Sequence, residues 1–306
     1  MVLLPRSRKA VWLAALGGAL AQIDRRNLGL IAAGVAFYSL LSLFPAITAL
    51  VSVWAVFADP LDIQPQLALL SRLIPTAAYE LVAGQVAALV SAPPAALSWA
   101  GGVSLFVALW SARAGVGALT RGLNTVYGEQ NRRGLGEFAS ALVLTLLLLG
   151  LTAAVLALMV LLPVVLSQIP VSFLAETLLR VAKWSIATGL VLLSLGLLYR
   201  VGPNRRAARV PWLSPGALTA TALWAIASLG FTFYLEHFAA LSRLYGSLGA
   251  VVALQIWFFI SALSVLFGAA LNAELERRTA EDSTIGRPRP LGQRGAEAAD
   301  TYLPTR

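Results

Sequence analysis

The feature that most constrains this chain is a series of six apolar segments, each about as long as a membrane is thick. A helix needs about 20 residues to cross the hydrocarbon core of a bilayer. Of the 306 residues, 58% are hydrophobic and only 12% are charged, whereas soluble domains carry about 25% charged residues. We therefore predict an all-α, polytopic membrane protein with six transmembrane helices. The six segments lie at 29–57, 96–113, 138–167, 181–200, 213–235 and 248–272.

The basic residues alternate between the regions that separate these segments. Nineteen of the 23 Lys and Arg residues fall before the first segment, in the second and fourth loops, or after the last segment. Only four fall in the other loops or beside them. Because cytoplasmic loops of membrane proteins carry an excess of Lys and Arg, this distribution predicts six crossings with both the N and C termini in the cytoplasm.

Residues 1–28 begin with basic residues, followed by a short apolar run. We interpret them as an interfacial N-terminal helix on the cytoplasmic side. The alternative is a signal peptide cleaved after Ala21. Such a cleavage would leave Asp24, Arg25 and Arg26 at a translocated end, against the expected distribution of charge.

The sequence divides the remainder into two regions. Residues 29–272 are predicted to form the six-helix transmembrane domain. Within it, the outer segment 58–95 contains apolar residues broken by several prolines, which indicates short helices against the outer membrane face. Residues 273–306 are polar and rich in Pro and Gly, and we predict a disordered cytoplasmic tail.

Small and hydroxyl-bearing residues collect on one face of the first, fifth and sixth segments when these are drawn as helices. Such a face would either line a groove through the membrane or let neighbouring helices pack closely, and close packing is the ordinary role of small residues in membranes. The predicted groove-lining residues are Ala32, Ser39, Ser42, Thr221, Ser228, Thr232, Ser261, Ser264 and Asn272.

The sequence offers little for catalysis or ion coupling. No charged residue lies in the middle of a predicted segment, although proton-coupled pumps usually need one there. With one His and no Cys, a metal centre built from several His or Cys ligands is not expected. The net charge of +9 is divided among short clusters, so it does not form the basic patch of a nucleic-acid-binding domain. We predict no catalytic, metal or cofactor-binding residues, no cofactor, no enzymatic activity and no nucleic-acid partner.

Four stretches resemble the YihY/BrkB family of bacterial inner-membrane proteins: DRRNLGLIAAGVAFYSLLSLFPA, SARAGVGALTRGLNTVYGEQNRRG, GPNRRAARVPWLSPGALTATALW and YGSLGAVVALQIWFFISALSVLFGAALNAELER. The resemblance covers about residues 10–278 and implies a six-helix, multi-pass protein of the inner membrane. The family-like residues are Gly34, Tyr38, Pro45, Asn124, Tyr127, Pro215, Gly216, Trp224, Tyr245, Gly246, Trp257 and Gly268.

The resemblance narrows the function without naming it. Members of the family have carried the name ribonuclease BN, but a chain with one His is a poor metal-dependent nuclease. The main hypothesis is a transporter or lipid-handling permease of unknown substrate, and the alternative is a non-transporting membrane scaffold for envelope proteins. The expected partners are membrane lipid and either a second copy of the chain or an envelope protein. A cavity along the small faces would favour transport, and solid packing would favour the scaffold.

Overall fold

The computed structural model describes residues 8–57, 76–91, 94–166, 173–205, 213–237, 249–279, 283–284, 287 and 289–303. Within these ranges the regular structure is α-helical. The helices are α1 (Arg8–Arg25), α2 (Leu28–Phe57), α3 (Thr76–Val90), α4 (Pro94–Tyr127), α5 (Leu135–Leu166), α6 (Phe173–Val201), α7 (Pro215–His237), α8 (Gly249–Arg277) and α9 (Glu297–Asp300).

Six of these helices are long and apolar enough to cross a membrane, which confirms the predicted fold class. They are α2, α4, α5, α6, α7 and α8. We call the end of the bundle where α2 begins, and where α4 and α8 finish, the basal end. Both α1 and the segment 289–303 lie at this end, against the last turns of α8. The side of the membrane on which the basal end lies stays a prediction.

The second crossing differs from the sequence prediction. The predicted segment 96–113 ended at its arginine, but the crossing helix runs from Gly101 to Tyr127. The small residues that follow Arg113 pack against α2, so they continue the helix as part of the bundle. Arg113 therefore lies in the middle of a crossing, and the expectation that no charged residue would do so was wrong.

Helices α2 and α4 pack antiparallel in unbroken register. A Cβ atom added to Gly122 would lie 2.8 Å from Ile31 Cγ2, and one added to Gly115 would lie 3.3 Å from Tyr38 Cβ. Further along both helices, the same register places Gly101 against Ser52. Three glycines on one helix thus let the two backbones approach over most of the bilayer thickness.

Helix α8 is the centre of the bundle. It contacts α1, α2, α3, α4, α7 and α9, whereas α5 and α6 lie at the periphery, where α5 packs on α4 and on α6. Its inner residues are fully or nearly fully buried, among them Leu266, Ala269, Ala270 and Ala273. Most of these side chains are small, which allows several helices to surround one axis.

Helix α1 packs on the last turns of α8 through its small face. Ala15 and Ala19 are fully buried there, and a Cβ atom on Gly18 would meet the carboxyl group of Glu274. The opposite face exposes Trp12, Leu13, Leu16 and Leu20. The interfacial location of this helix stays a prediction.

Part of the segment predicted as a disordered tail is described in contact with the bundle. The backbone N–H of Leu303 donates to the Arg277 carbonyl at 2.7 Å, and that of Glu297 donates to the Glu129 carboxylate at 3.0 Å. Ala298 is fully buried. The structure thus places 289–303 over the basal end.

Some predicted features lie outside the described residues. These are Tyr245, Gly246 and, in the outer segment 58–95, residues 58–75 and 92–93. The described part of that segment contains α3, which contacts α2 and α8.

The closest backbone approach of α7 and α8, at Gly216 and Gly268, allows a direct test of the packing. A Cβ atom on Gly216 would lie 2.6 Å from Asn272 Cγ and would also clash with the Gly268 backbone. We expect Gly216→Ala to lower the free energy of unfolding by about 1–3 kcal/mol, because the two helices must separate. Thermal unfolding in detergent, followed by circular dichroism, measures the change.

Gly230→Ala on the same helix is the matched control, since no atom lies within 4 Å of its Cβ position. We expect this variant to be unchanged or slightly more stable. Equal stability of the two variants would mean that α7 and α8 do not meet at Gly216.

Candidate functional site

Six of the seven hydroxyl groups that were predicted to line a groove donate hydrogen bonds within their own helices, and that of Ser228 accepts one from Trp257. The distances from hydroxyl to carbonyl oxygen lie between 2.8 and 3.0 Å. Ala32 is fully buried in the hydrophobic core. The O–H donors of these residues are therefore satisfied within the helices. The donor–acceptor pairs are Ser39–Val35, Ser42–Ser39, Thr221–Ala217, Thr232–Ser228, Ser261–Trp257 and Ser264–Ile260.

Two tryptophans complete the contact between α7 and α8. Trp224 Nε1 donates to Ser261 Oγ at 3.1 Å, and Trp257 Nε1 donates to Ser228 Oγ at 3.2 Å. The two ring centroids are 6.3 Å apart. Family-like tryptophans and predicted groove-lining serines thus meet in one reciprocal pair of hydrogen bonds, and each helix supplies one donor and one acceptor.

Asn272 ties the start of α7 to α8. Its Oδ1 accepts from the backbone N–H of Gly216 at 2.7 Å, and its Nδ2 donates to Ser214 Oγ at 2.8 Å. Ser214 Oγ also accepts from the N–H of Ala217 at 3.2 Å, as the N-cap of a helix that begins at Pro215. The side chain of Asn272 therefore holds a helix start in place.

The remaining family-like residues fall at two places. On α2, Tyr38 packs against Gly115, Gly34 has no neighbour within 4 Å of its Cβ position, and Pro45 lies inside the helix. At the basal end, Asn124 Nδ2 donates to Asn131 Oδ1 at 2.8 Å. The guanidinium of Arg205 lies 4.5 Å from the ring centroid of the fully buried Tyr127.

A buried carboxylate organises the basal end. Glu274 accepts hydrogen bonds from Gln22 Nε2 at 2.6 Å, from Arg277 at 3.1 Å, and from Arg278. Arg277 also donates to the carbonyl of Val126 at 3.0 Å. We call Gln22, Glu274, Arg277 and Arg278 the basal cluster. The carboxylate of Glu274 joins α1 to α8, and Arg277, which is bonded to that carboxylate, joins them to α4.

The loops at the basal end are held by two further arginines. Arg132 donates to the backbone carbonyls of residues 201–203 at 2.9–3.4 Å. Arg205 forms an ion pair with Glu276 at 2.5 Å and lies 4.0 Å from Glu129. Burial raises the pKa of Glu129 above its usual value, and the hydrogen bond from Glu297 and the charge of Arg205 partly offset that shift.

A second kind of site lies on α4, away from the basal cluster. The guanidinium carbon of Arg113 is 4.5 Å from the ring centroid of Phe138 and 5.2 Å from that of Trp110. Its Nε is buried and makes no hydrogen bond, and no carboxylate pairs with it within the described part of the chain. A cation in a membrane span without a carboxylate is rare and usually marks a binding or transport site.

An open apolar depression of about 410 Å³ lies further along α4, lined by Trp99, Gly102, Val103 and Phe106. Across the residues that the structure describes, no group of three His, Cys, Asp or Glu side chains is close enough to hold a metal ion.

Sequence reasoning missed the basal cluster and Arg113 for different reasons. Gln22 and Glu274 are 252 residues apart, and no local pattern indicates that they pair. Arg113 was predicted to end the second span, with its helix continuing into the next loop. The small residues Gly115, Gly117 and Gly122 after it are the signal that would have extended the span itself.

The basal cluster predicts a large effect of removing one charge. Glu274→Gln leaves two arginines at a buried site without their carboxylate, and we expect the free energy of unfolding to fall by about 3 kcal/mol. Glu137→Gln is the matched control, because its ion pair with Arg121 is exposed, and we expect a change below about 1 kcal/mol. Equal effects in a detergent unfolding titration would mean that Glu274 is not a buried partner.

Comparison with known proteins identifies the family of the chain. The family model described as virulence factor BrkB matches residues 19–291. A protein of Bacillus subtilis, named as ribonuclease-like protein YfkH, is 29% identical over 255 residues, which is 80% of this chain and 89% of that protein.

Shorter matches link the chain to proteins that are named as membrane proteins. A UPF0761 membrane protein of Xanthomonas campestris is 43% identical over 79 residues, which is 26% of this chain and 18% of that protein. One of Alteromonas mediterranea is 37% identical over 91 residues, or 29% of this chain and 30% of that protein. The matched part thus spans less than a third of each of these two relatives. No solved structure matches. Since the BrkB model matches most of its length, this multi-pass membrane protein belongs to the virulence factor BrkB family.

Proposed function

We propose that this protein handles lipid at the lipid-facing surface of its helices and does not conduct a solute between them. The observation that carries the proposal is the bonding of the small faces: six of their seven hydroxyls donate within their own helices, and the glycines beside them hold neighbouring backbones in contact. A path for a polar solute would need free donors and acceptors along it, because every polar group in a bilayer must find a partner.

The outer surface supports the same proposal. Arg113 lies on the membrane-spanning helix α4, and its buried Nε makes no hydrogen bond. Its guanidinium carries polar N–H groups where a bilayer offers few partners. Lipid headgroups and bound water are the partners that a lipid-handling protein brings to such depths. We propose the inner membrane as the location and membrane lipid as the main partner, with no catalytic step and no nucleic-acid partner.

A second candidate function is a membrane scaffold for envelope proteins or for a second copy of the chain. The closed faces also favour this function, since a rigid bundle without a path is what a scaffold requires. The segment 289–303, packed over the basal end, would then be the part that meets a partner.

Cysteine labelling tests the closure of the small faces, because the chain has no native cysteine. We expect single cysteines at Ser39, Ser42, Ser228 and Ser264 to resist a water-soluble maleimide in membranes and to react after denaturation. Arg133→Cys, in an exposed loop, is the control that should react at once. Reaction at Ser264 as fast as at position 133 would mean a hydrated path and would support solute transport.

Lipid movement separates the two candidate functions. We expect proteoliposomes containing the protein to exchange a fluorescent phospholipid between leaflets faster than protein-free liposomes. An exchange rate equal to that of protein-free liposomes, with the cysteines still protected, would contradict lipid handling and leave the scaffold.

A further inference from the structure

Arg113 lies deep along its helix. Helices α2 and α4 are antiparallel and Gly115 packs against Tyr38, so the backbone of Arg113 is level with that of Leu40. Leu40 is twelve residues along α2 from Leu28, which is about 18 Å at the rise of an α-helix. The membrane-spanning part of α2 has 22 residues from Leu28 to Ala49. The arginine backbone is therefore near the middle of the crossing.

The side chain of Arg113 does not extend freely to water. Its guanidinium lies beside the rings of Trp110 and Phe138, whose centroids are 6.3 Å apart, and its Nε is buried without a hydrogen-bond partner. Phe138 is on the first turn of α5, so the guanidinium leans towards the basal end. Arginine presents five N–H donors in a planar fork, and two aromatic faces satisfy none of them fully. The site therefore has positive charge and free donors, and it needs an anion.

An apolar stripe leads away from this cation on the same face of α4. Its members are Trp99, Gly102, Val103, Phe106 and Trp110, and with Arg113 they fall within about 100° around the helix. The exposed fractions of Trp99, Val103 and Phe106 are 82%, 59% and 66%. Phe106 and Trp110 stack with centroids 6.0 Å apart. We call these six residues the α4 stripe.

The α4 stripe is longer than the acyl region of one leaflet. From Arg113 to Trp99 the helix rises about 21 Å, whereas one leaflet of the hydrocarbon core is about 15 Å deep. The open depression of about 410 Å³ lies at the far end, where Gly102 leaves room between the larger side chains. The stripe thus has a charged hydrogen-bond donor at one end and an apolar depression at the other, just as a phospholipid has a charged headgroup and apolar acyl chains.

We propose that the α4 stripe binds one phospholipid, with its phosphate on the guanidinium of Arg113 and an acyl chain in the depression at Trp99–Phe106. A guanidinium binds phosphate through paired hydrogen bonds, and the adjacent rings exclude water and strengthen them. This site rests on the proposed lipid-handling function, because that function is the reason for choosing a lipid over free phosphate as the occupant.

Native mass spectrometry of the full chain, stripped of lipid and titrated with phosphatidylglycerol, tests the site. Diacylglycerol with the same acyl chains is the comparison, because it lacks the phosphate. We expect tighter binding of phosphatidylglycerol, and we expect Arg113→Gln to weaken it by about tenfold, the loss of one charged hydrogen-bonded contact. Arg113→Lys should retain part of the affinity, and Gly102→Leu, which fills the depression, should weaken both lipids.

Arg121→Gln is the matched control, since Arg121 lies two turns along the same helix and is paired with Glu137. Equal loss in the Arg113→Gln and Arg121→Gln variants, or unchanged binding by Arg113→Gln, would overturn the proposal. Displacement of phosphatidylglycerol by millimolar inorganic phosphate would also overturn it, since the occupant would then be a soluble anion.

The same variants separate this inference from the proposed function. If the Arg113→Gln variant exchanges lipid normally in proteoliposomes, the site plays no part in lipid handling and the proposed function stands without it. If phosphatidylglycerol binds tightly at Arg113 but the native chain does not exchange lipid, the site stands and the proposed function fails.

Discussion

The lack of water inside a bilayer is the constraint on which the rest of this structure depends. Every hydroxyl, amide and indole N–H within the membrane must find a partner in the protein or in the lipid. In the described helices, serine and threonine hydroxyls bond to the preceding turn, the two indoles bond to serines across α7 and α8, and Asn272 bonds to the start of α7. These bonds satisfy, within the protein, polar groups on faces that look polar in the sequence. Polar groups at the outer surface, such as the guanidinium of Arg113, are then left to meet lipid.

The number of crossings could be predicted from the sequence because length and apolar content are local properties. The alternation of basic residues predicted an even number of crossings, and both ends of the described chain lie together at the basal end. The small faces of α2, α7 and α8 were also recognised, but their role depends on what lies opposite. A serine that lines a groove and a serine that accepts from Trp257 have the same sequence pattern. Only the partner helix distinguishes them.

The features that the sequence did not predict depend on contacts between distant residues. The basal cluster joins Gln22 to Glu274, and Arg205 reaches Glu276 and the ring of Tyr127. No period or motif encodes such pairs. The polar segment 289–303 was assigned to a tail on composition, yet its few alanines fill a space beside α4 and α8. Arg113 was predicted to end its crossing, whereas the crossing continues to Tyr127. Hydropathy falls after Arg113 because small residues replace large ones, although small residues favour packing in membranes.

The central claim is that the polar and aromatic residues on α4 face lipid, while the interior of the bundle is closed. Spin labels on single cysteines at Val103, Phe106 and Trp110, in the protein reconstituted in bilayers, measure this directly by collision with oxygen and with a water-soluble nickel chelate. Oxygen concentrates in the hydrocarbon core and the chelate stays in water. The account predicts high collision rates with oxygen and low rates with the chelate at all three positions. High rates with the chelate would mean that α4 borders an aqueous cavity, and would contradict the account.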